Sequence, residues 1–199
     1  MSAVITPDMM NDHLTTVGQF PTVFTAEECA RIIALPVPQQ DALVDIREGG
    51  DPHRNLTARR DYGIRNTRIK SLPPGPATDW IFERLRRLAT AVNQQAFHFR
   101  LIDLMSLDVL EYGKDGFFDW HTDIGGGEFS TRKLTVVTAL TPPDQYTGGD
   151  LNFADGGEAL RLPQGTTVIF PSYLVHKVYP VTGGMRHTLV SFIHGPAFN

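Results

Sequence analysis

From Phe97 onward the chain is a succession of short β-type runs, each cut off by glycine or proline, and this texture limits what it can fold into. Phe97, Phe99, Leu101, Asp103 and Met105 alternate with His98, Arg100, Ile102 and Leu104. Further runs follow at Phe117–Thr122, Lys133–Leu140, Asp150–Phe153, Ala159–Leu162, Thr166–Phe170, Val175–Val181 and Arg186–Ile193. Gly125-Gly126-Gly127, Pro142-Pro143, Gly148-Gly149 and Gly183-Gly184 separate them. Many short strands with turn signals between them argue a sandwich or jelly roll.

The N-terminal part reads as helical. Thr25-Ala26-Glu27-Glu28 has the form of a capping box, predicting a short helix to about Leu35 that Pro36 and Pro38 stop. Thr78 is placed to cap a longer helix from Asp79 to about Phe97, with Ile81, Leu85, Leu88 and Val92 on one face. Glu83, Arg84, Arg86 and Arg87 fall largely on the other, as on a helix packed against a sheet. The expectation is a single mainly β domain over residues 1–199. Residues 98–199 would form the jelly-roll core, and residues 1–97 a helical support and substrate-side region.

A net charge of −4 and a pI near 5.9 give no sign of a nucleic-acid partner. Cys29, the single cysteine, has no partner for an internal disulfide. No apolar run approaches the roughly 20 residues that cross a bilayer, and the first residues lack the pattern of a signal peptide. A cytoplasmic location with no membrane partner is expected.

Chemistry concentrates in Phe118-Asp119-Trp120-His121-Thr122-Asp123. On a strand, His121 and Asp123 share a face about 7 Å apart, so an imidazole nitrogen and a carboxylate oxygen can reach one ion. His176, which lies between two β-type runs, is the best third ligand. Two histidines and one carboxylate form the facial triad of non-haem Fe(II) oxygenases, which leaves open positions for a chelating cosubstrate and O₂. His13, His53, His98, His187 and His194 read as structural or surface residues. Ten residues after His176, Arg186 and Thr188 share a strand face, and a guanidinium fork with a hydroxyl suits a carboxylate.

These pieces, in this order, resemble the Fe(II)/2-oxoglutarate-dependent dioxygenases of the prolyl-4-hydroxylase-like branch, over about Leu104 to Pro196. Tyr112 stands nine residues before His121. Arg132-Lys133-Leu134-Thr135, Gly148-Gly149-Asp150-Leu151-Asn152-Phe153, Pro163 and Gly165, His176, and Gly184-Met185-Arg186 follow as that branch has them. The resemblance implies a double-stranded β-helix with His121, Asp123 and His176 on iron. It also implies Arg186 on the distal carboxylate of 2-oxoglutarate, with Thr188 and Tyr112 in the same pocket. Fe(II), 2-oxoglutarate and O₂ would be consumed or held there, with ascorbate as a stimulant, and the reaction would yield succinate, CO₂ and a hydroxylated product. Two positions depart from the pattern. Phe118 stands where a tyrosine hydroxyl often reaches 2-oxoglutarate, and Phe192 stands where a tryptophan is common.

Substrate identity falls to the loops and the N-terminal part. His53–Lys70 holds Arg54, Arg59, Arg60, Arg65, Arg68 and Lys70 against Asp61 alone. That run reads either as a basic mouth for a carboxylate-bearing substrate or as a solvated basic surface. Gly125–Gly127 reads as a flap or a plain turn. The substrate is expected to be an amino-acid-like small molecule or a peptide or protein side chain. The alternatives are a zinc hydrolase on the same ligands and a non-enzymatic jelly-roll metal-binding module.

Overall fold

A computed structural model describes residues 10–47 and 56–198. Its strands in chain order are β1 Gly18–Phe20, β2 Gln40–Asp41, β3 Val44–Arg47, β4 Leu56–Arg59, β5 Arg65–Asn66, β6 Arg68–Leu72, β7 Asp103–Tyr112, β8 Phe117–His121, β9 Arg132–Ala139, β10 Tyr146–Gly148, β11 Leu151–Phe153, β12 Thr167–Pro171, β13 His176–Val178, β14 Val181–Gly184 and β15 Arg186–His194. Two helices accompany them, α1 Ala26–Ile33 and α2 Asp79–Val92. A seven-stranded sheet in the order β1-β12-β9-β15-β7-β6-β2 faces a four-stranded sheet in the order β11-β13-β8-β5. All registers are antiparallel, and this is the double-stranded β-helix expected from the sequence.

Period two decides what each face of the large sheet does. Leu107 and Val109 of β7 and Leu189 of β15 turn to the helices, joining Ile32 of α1 and Ile81 and Leu85 of α2 in one core. The intervening residues Leu110 and Tyr112 turn inward, where they meet Val137, Val168, Phe170 and Val178 between the sheets. A one-residue bulge at Met105, where Ser106 pairs with Phe192 and Leu104 with Ile193, returns Leu104 to the helix side.

The short helix forms as its cap predicts. Thr25 Oγ1 accepts from Glu28 N at 3.2 Å, and a Glu28 carboxylate oxygen accepts from Thr25 N at 3.0 Å, worth about 1 kcal/mol. Glu28 also takes both guanidinium nitrogens of Arg84, at 2.6 and 2.8 Å, which clamps α1 to α2. The long helix differs from the sequence expectation at both ends. Thr78 precedes α2 but donates to Pro73 O at 2.5 Å and Gly75 O at 3.2 Å, so its hydroxyl caps nothing. At the other end α2 loosens into a π turn over Asn93–Phe97, closed by left-handed His98 at φ 56°.

The β-type alternation at Phe97–Leu101 is therefore not a strand. Asn93 pins this stretch as a loop, donating from Nδ2 to Phe99 O and accepting Phe99 N–H, each at 2.9 Å. Ala159–Leu162 is also not a strand: only a bridge from Leu160 to Leu151 forms. Pro180 splits the Val175–Val181 run into β13 and the start of β14. Nor is the N-terminal part only helical, since β1, β2 and β6 complete the large sheet and β5 the small one.

Candidate metal centre and cosubstrate pocket

The 53 positions from Asp123 to His176 vanish in space because β8 and β13 pair with His121 directly opposite His176. Their rings lie 4.2 Å apart between centroids. Each imidazole is held by its own backbone: His121 Nδ1 meets Asp119 O at 2.7 Å, and His176 Nδ1 meets Leu174 O at 2.9 Å. A carbonyl only accepts, so Nδ1 carries a proton in both rings and Nε2 is the nitrogen of each that faces the cavity. Burial, and then the neighbouring His176 ring, push the His121 imidazolium down to about 4, against the pull of Asp123. His121 is therefore neutral near pH 7, as a metal ligand must be.

Asp123 follows β8 and is set by the opposite strands. Its N–H donates to Ser172 O at 2.9 Å. Thr135 Oγ1 of β9 donates to Asp123 Oδ2 at 2.7 Å and shares a 3.0 Å contact with Ser172 Oγ. The carboxylate then stands 3.6 Å from His121 Nε2 and 3.5 Å from His176 Nε2. With His121 neutral its Nε2 lone pair faces the carboxylate, and all three ligand atoms lie within 4.8 Å of one another. Such convergence is repulsive until a cation sits among the three atoms, so the residues fit a divalent metal with two nitrogen ligands and one oxygen ligand.

The triad opens into a cavity of about 460 Å³ between the sheets. Arg186, Thr188 and Tyr112 all line it. Arg186 is 4% exposed, its guanidinium lies 4.9 Å from the Tyr112 ring centroid, and its Nη1 has no hydrogen-bond partner. No ion pair reaches it among the described residues. A buried cation of this kind fits the carboxylate end of a ligand. Gly149, at φ 72°, makes room for it: a Cβ there would stand 2.9 Å from Arg186 Cδ and 2.8 Å from Val181 Cγ2.

Phe118 lies flat on His121 at 3.5 Å between centroids, with the Arg65 guanidinium 4.6 Å from its ring centroid on β5. Phe192 lies beneath Arg132, at 3.6 Å. Both departures from the branch pattern therefore serve as apolar platforms in the cavity wall.

The basic run resolves mostly into paired surface. Arg59 meets Asp61 at 3.3 Å, Arg60 meets Asp41 at 2.6 Å, Arg68 meets Glu111 at 3.6 Å, and Lys70 donates to Ile33 O at 2.9 Å. Arg65 alone of its described members lines the cavity; His53 and Arg54 lie outside the described residues. Gly125 and Gly126 line the cavity mouth. His13, His98, His187 and His194 are not among the residues lining this cavity. His187 meets Glu111 at 3.3 Å and His194 meets Thr131 at 2.7 Å. The sequence alone assigns no role to Thr135 or Asp108, and it marks Arg65 only as one cation of the basic run. Thr135 stands there only as the last letter of Arg132-Lys133-Leu134-Thr135.

Residues 107–194 match the family model of the 2OG-Fe(II) oxygenase superfamily. A PKHD-type hydroxylase of Synechococcus sp. (strain CC9605) is 37% identical over 79 residues, covering 38% of this chain and 36% of that protein. Another, from Synechococcus sp. (strain JA-2-3B'a(2-13)), is 28% identical over 106 residues, covering 50% and 46%. The chain thus spans less than half the length of these relatives. Among solved structures, a Pseudomonas putida prolyl-4-hydroxylase superposes with a TM-score of 0.65 at 23% identity, covering 92% of this chain and 94% of that one. The 2OG complex of a viral collagen prolyl hydroxylase from Paramecium Bursaria Chlorella virus-1 gives 0.66 at 16% identity, covering 90% and 96%. These likenesses bear out the double-stranded β-helix. Together the matches agree with the resemblance read from the motifs: residues 107–194 are similar to the 2OG-Fe(II) oxygenase superfamily, the sequence relatives are PKHD-type hydroxylases, and the fold is shared with prolyl hydroxylases. They favour neither a zinc hydrolase nor a non-enzymatic metal module.

Proposed function

We propose that this chain is an Fe(II)- and 2-oxoglutarate-dependent dioxygenase. Its substrate is an amino-acid-like small molecule or a peptide or protein side chain, hydroxylated at an unactivated C–H bond. The observation that carries this reading is one cavity holding both the convergent His121, Asp123 and His176 atoms and the buried, unpartnered Arg186. The balance is one C–H, one O₂ and one 2-oxoglutarate in, with one C–OH, succinate and CO₂ out.

His121, Asp123 and His176 would hold the iron, which with 2-oxoglutarate and O₂ supplies the oxidising chemistry, ascorbate acting as a stimulant. The chain's own residues do the positioning. The Asp119 and Leu174 carbonyls fix the ligand tautomer of each histidine, and Thr135 fixes which way the Asp123 carboxylate points. Arg186 pairs with the distal carboxylate of the cosubstrate and Thr188 offers it a hydroxyl. Tyr112 supports the guanidinium from beneath. Leu110, Val137 and Val178 make that end of the cavity apolar, excluding water from the charged contacts and strengthening them.

Incubation with Fe(II), 2-oxoglutarate and ascorbate under air should release succinate. A metabolite or peptide extract should yield a product heavier by one oxygen atom. Metal-loaded protein that neither binds 2-oxoglutarate nor releases succinate would refute the assignment.

A further inference from the structure

One carboxylate in the cavity has no part in the chemistry above. Asp108 stands on β7 with its side chain on the inward face, one rung from Leu110. It pairs with Val190 of β15 on one side and Ser71 of β6 on the other. An inward position in such a strand ordinarily takes an apolar residue, as Leu110 shows. Ser71 Oγ donates to Asp108 Oδ1 at 2.6 Å. The other carboxylate oxygen has no hydrogen-bond partner among the described residues. Burial pushes the Asp108 carboxyl up, while Ser71, Arg65 and Arg132 oppose it. The group is thus an acceptor set in a cavity wall, with the Arg65 and Arg132 charges near it.

Arg65 is the complementary feature. It reaches the cavity from β5, in the opposite sheet, with its guanidinium against the Phe118 ring. Among the described residues its Nε is buried without a hydrogen-bond partner, and its guanidinium makes one hydrogen bond, to Leu43 O, 3.5 Å long. A negative group from one sheet and a positive group from the other therefore line the same cavity, each with unused hydrogen-bonding capacity. Neither is the cosubstrate anchor: Asp108 lies opposite Val190, four residues along β15 from Arg186, or roughly 13 Å of extended strand. Phe118, stacked on both Arg65 and His121, joins this end of the cavity to the metal ligands.

We infer that this end of the cavity receives a free α-amino acid, its ammonium held by Asp108 and its carboxylate by Arg65. The inference rests on the dioxygenase reading and narrows its substrate class. Within a peptide chain both groups of a residue are neutral amides, so an internal residue offers nothing to either side chain. A zwitterion satisfies both, and a wrong or missing charge would leave a desolvated partner unpaired.

The test is calorimetric binding to the full chain, loaded with Mn(II) and 2-oxoglutarate without oxygen. The probes are the free L-amino acids, their N-acetyl and amide derivatives, and Gly-X-Gly tripeptides. At least one free amino acid should bind, and either modification should weaken it at least about tenfold. In Asp108→Asn the preference over the N-acetyl form should collapse. In Arg65→Met the preference over the amide should collapse, with 2-oxoglutarate affinity unchanged in both variants. Each preference is a ratio within one preparation, so partial unfolding does not imitate the result. Equal binding of the modified forms, tighter binding of the tripeptides, or bound 2-oxoglutarate with no amino acid bound would each overturn the amino-acid assignment alone. If 2-oxoglutarate itself does not bind, the dioxygenase reading falls and this inference with it.

Discussion

Arg186→Met separates a functional cation from a structural one, because the two roles predict opposite signs. The substitution keeps an unbranched stem beside Tyr112 and deletes a guanidinium that is 4% exposed, lacks a partner at Nη1 and forms no ion pair among the described residues. The effective cost of desolvating an ion is several kcal/mol, relieved here only by the Tyr112 ring and cavity water. Removing it should stabilise the ligand-free protein by about 1–2 kcal/mol. For a chain of this size that is a rise in Tm of about 2–8 °C. With 2-oxoglutarate the sign reverses. Losing a desolvated charge pair costs about 3–5 kcal/mol, and each 1.4 kcal/mol is about tenfold, so Kd should rise by about two to three orders of magnitude. Pyruvate, which lacks the distal carboxylate, should bind weakly and almost equally to both proteins. Thermal melts of the ligand-free proteins and calorimetric titration of both ligands on the Mn(II)-loaded proteins give the three numbers. A lowered Tm, or equal weakening toward both ligands, would show that the arginine holds the fold and that the anchor is elsewhere.

Four further outcomes follow from the geometry. His121→Ala or His176→Ala should abolish iron binding and turnover while the melting transition survives; a variant that still binds iron and makes succinate at the original rate contradicts the triad. Thr135→Val removes the hydroxyl that aims Asp123 and should weaken metal affinity about tenfold, measured by metal titration; an unchanged affinity would make that bond incidental. Gly149→Ala puts a Cβ against Arg186 at φ 72° and should cost about 1–3 kcal/mol in denaturant melts, whereas Gly156→Ala, at φ 83° with nothing near, should lose only the backbone part; equal losses would remove the steric argument. Burial pushes the Cys29 thiol up to about 11, so it should resist a thiol-labelling disulfide at pH 8 until the protein unfolds. An unfolded thiol ionises near 8.5, so this group's contribution to stability is intact below that pH and is lost as pH rises above it toward 11. Rapid labelling of the native protein would refute its burial.

The parts of the site that sequence made legible are those fixed by strand period and by short spacing. Arg186 and Thr188 stand two apart on β15, and a strand aims such a pair the same way; His121 and Asp123 also stand two apart, but Asp123 lies past the end of β8 and is aimed by Ser172 and Thr135 rather than by strand period. What escaped were contacts between elements. Thr135 reaches Asp123 across twelve residues that include a 3-10 turn, and nothing local in Arg132-Lys133-Leu134-Thr135 marks its hydroxyl as a partner. Asp108 and Arg65 come from different sheets, so their shared cavity is invisible along the chain. The alternation at Phe97–Leu101 misled because both of its phenylalanines pack on the helix-side core, Phe97 from the end of the π turn and Phe99 from the loop after it: Asn93 overrides period two with two side-chain hydrogen bonds. The β content of the first 72 residues escaped because strands of two or three residues, such as β2 and β5, carry too few positions to show any period.

The order of strands in the large sheet also bears on how the molecule is made. Synthesis delivers β1 first, yet its partner β12 follows about 150 residues later, with Gly18 against Ile169. β15, which brings Arg186 and Thr188, is the last described strand to emerge and sits mid-sheet, between β9 and β7. Until it arrives those two neighbours present bare edges to each other and to any other chain. Contacts this distant in sequence close slowly, because loop entropy is lost before pairing repays it. A nascent chain halted before Arg186 should thus be a substrate for chaperones, and the proposed metal ligands and cosubstrate anchor should gain their shape in one cooperative step after β15 leaves the ribosome.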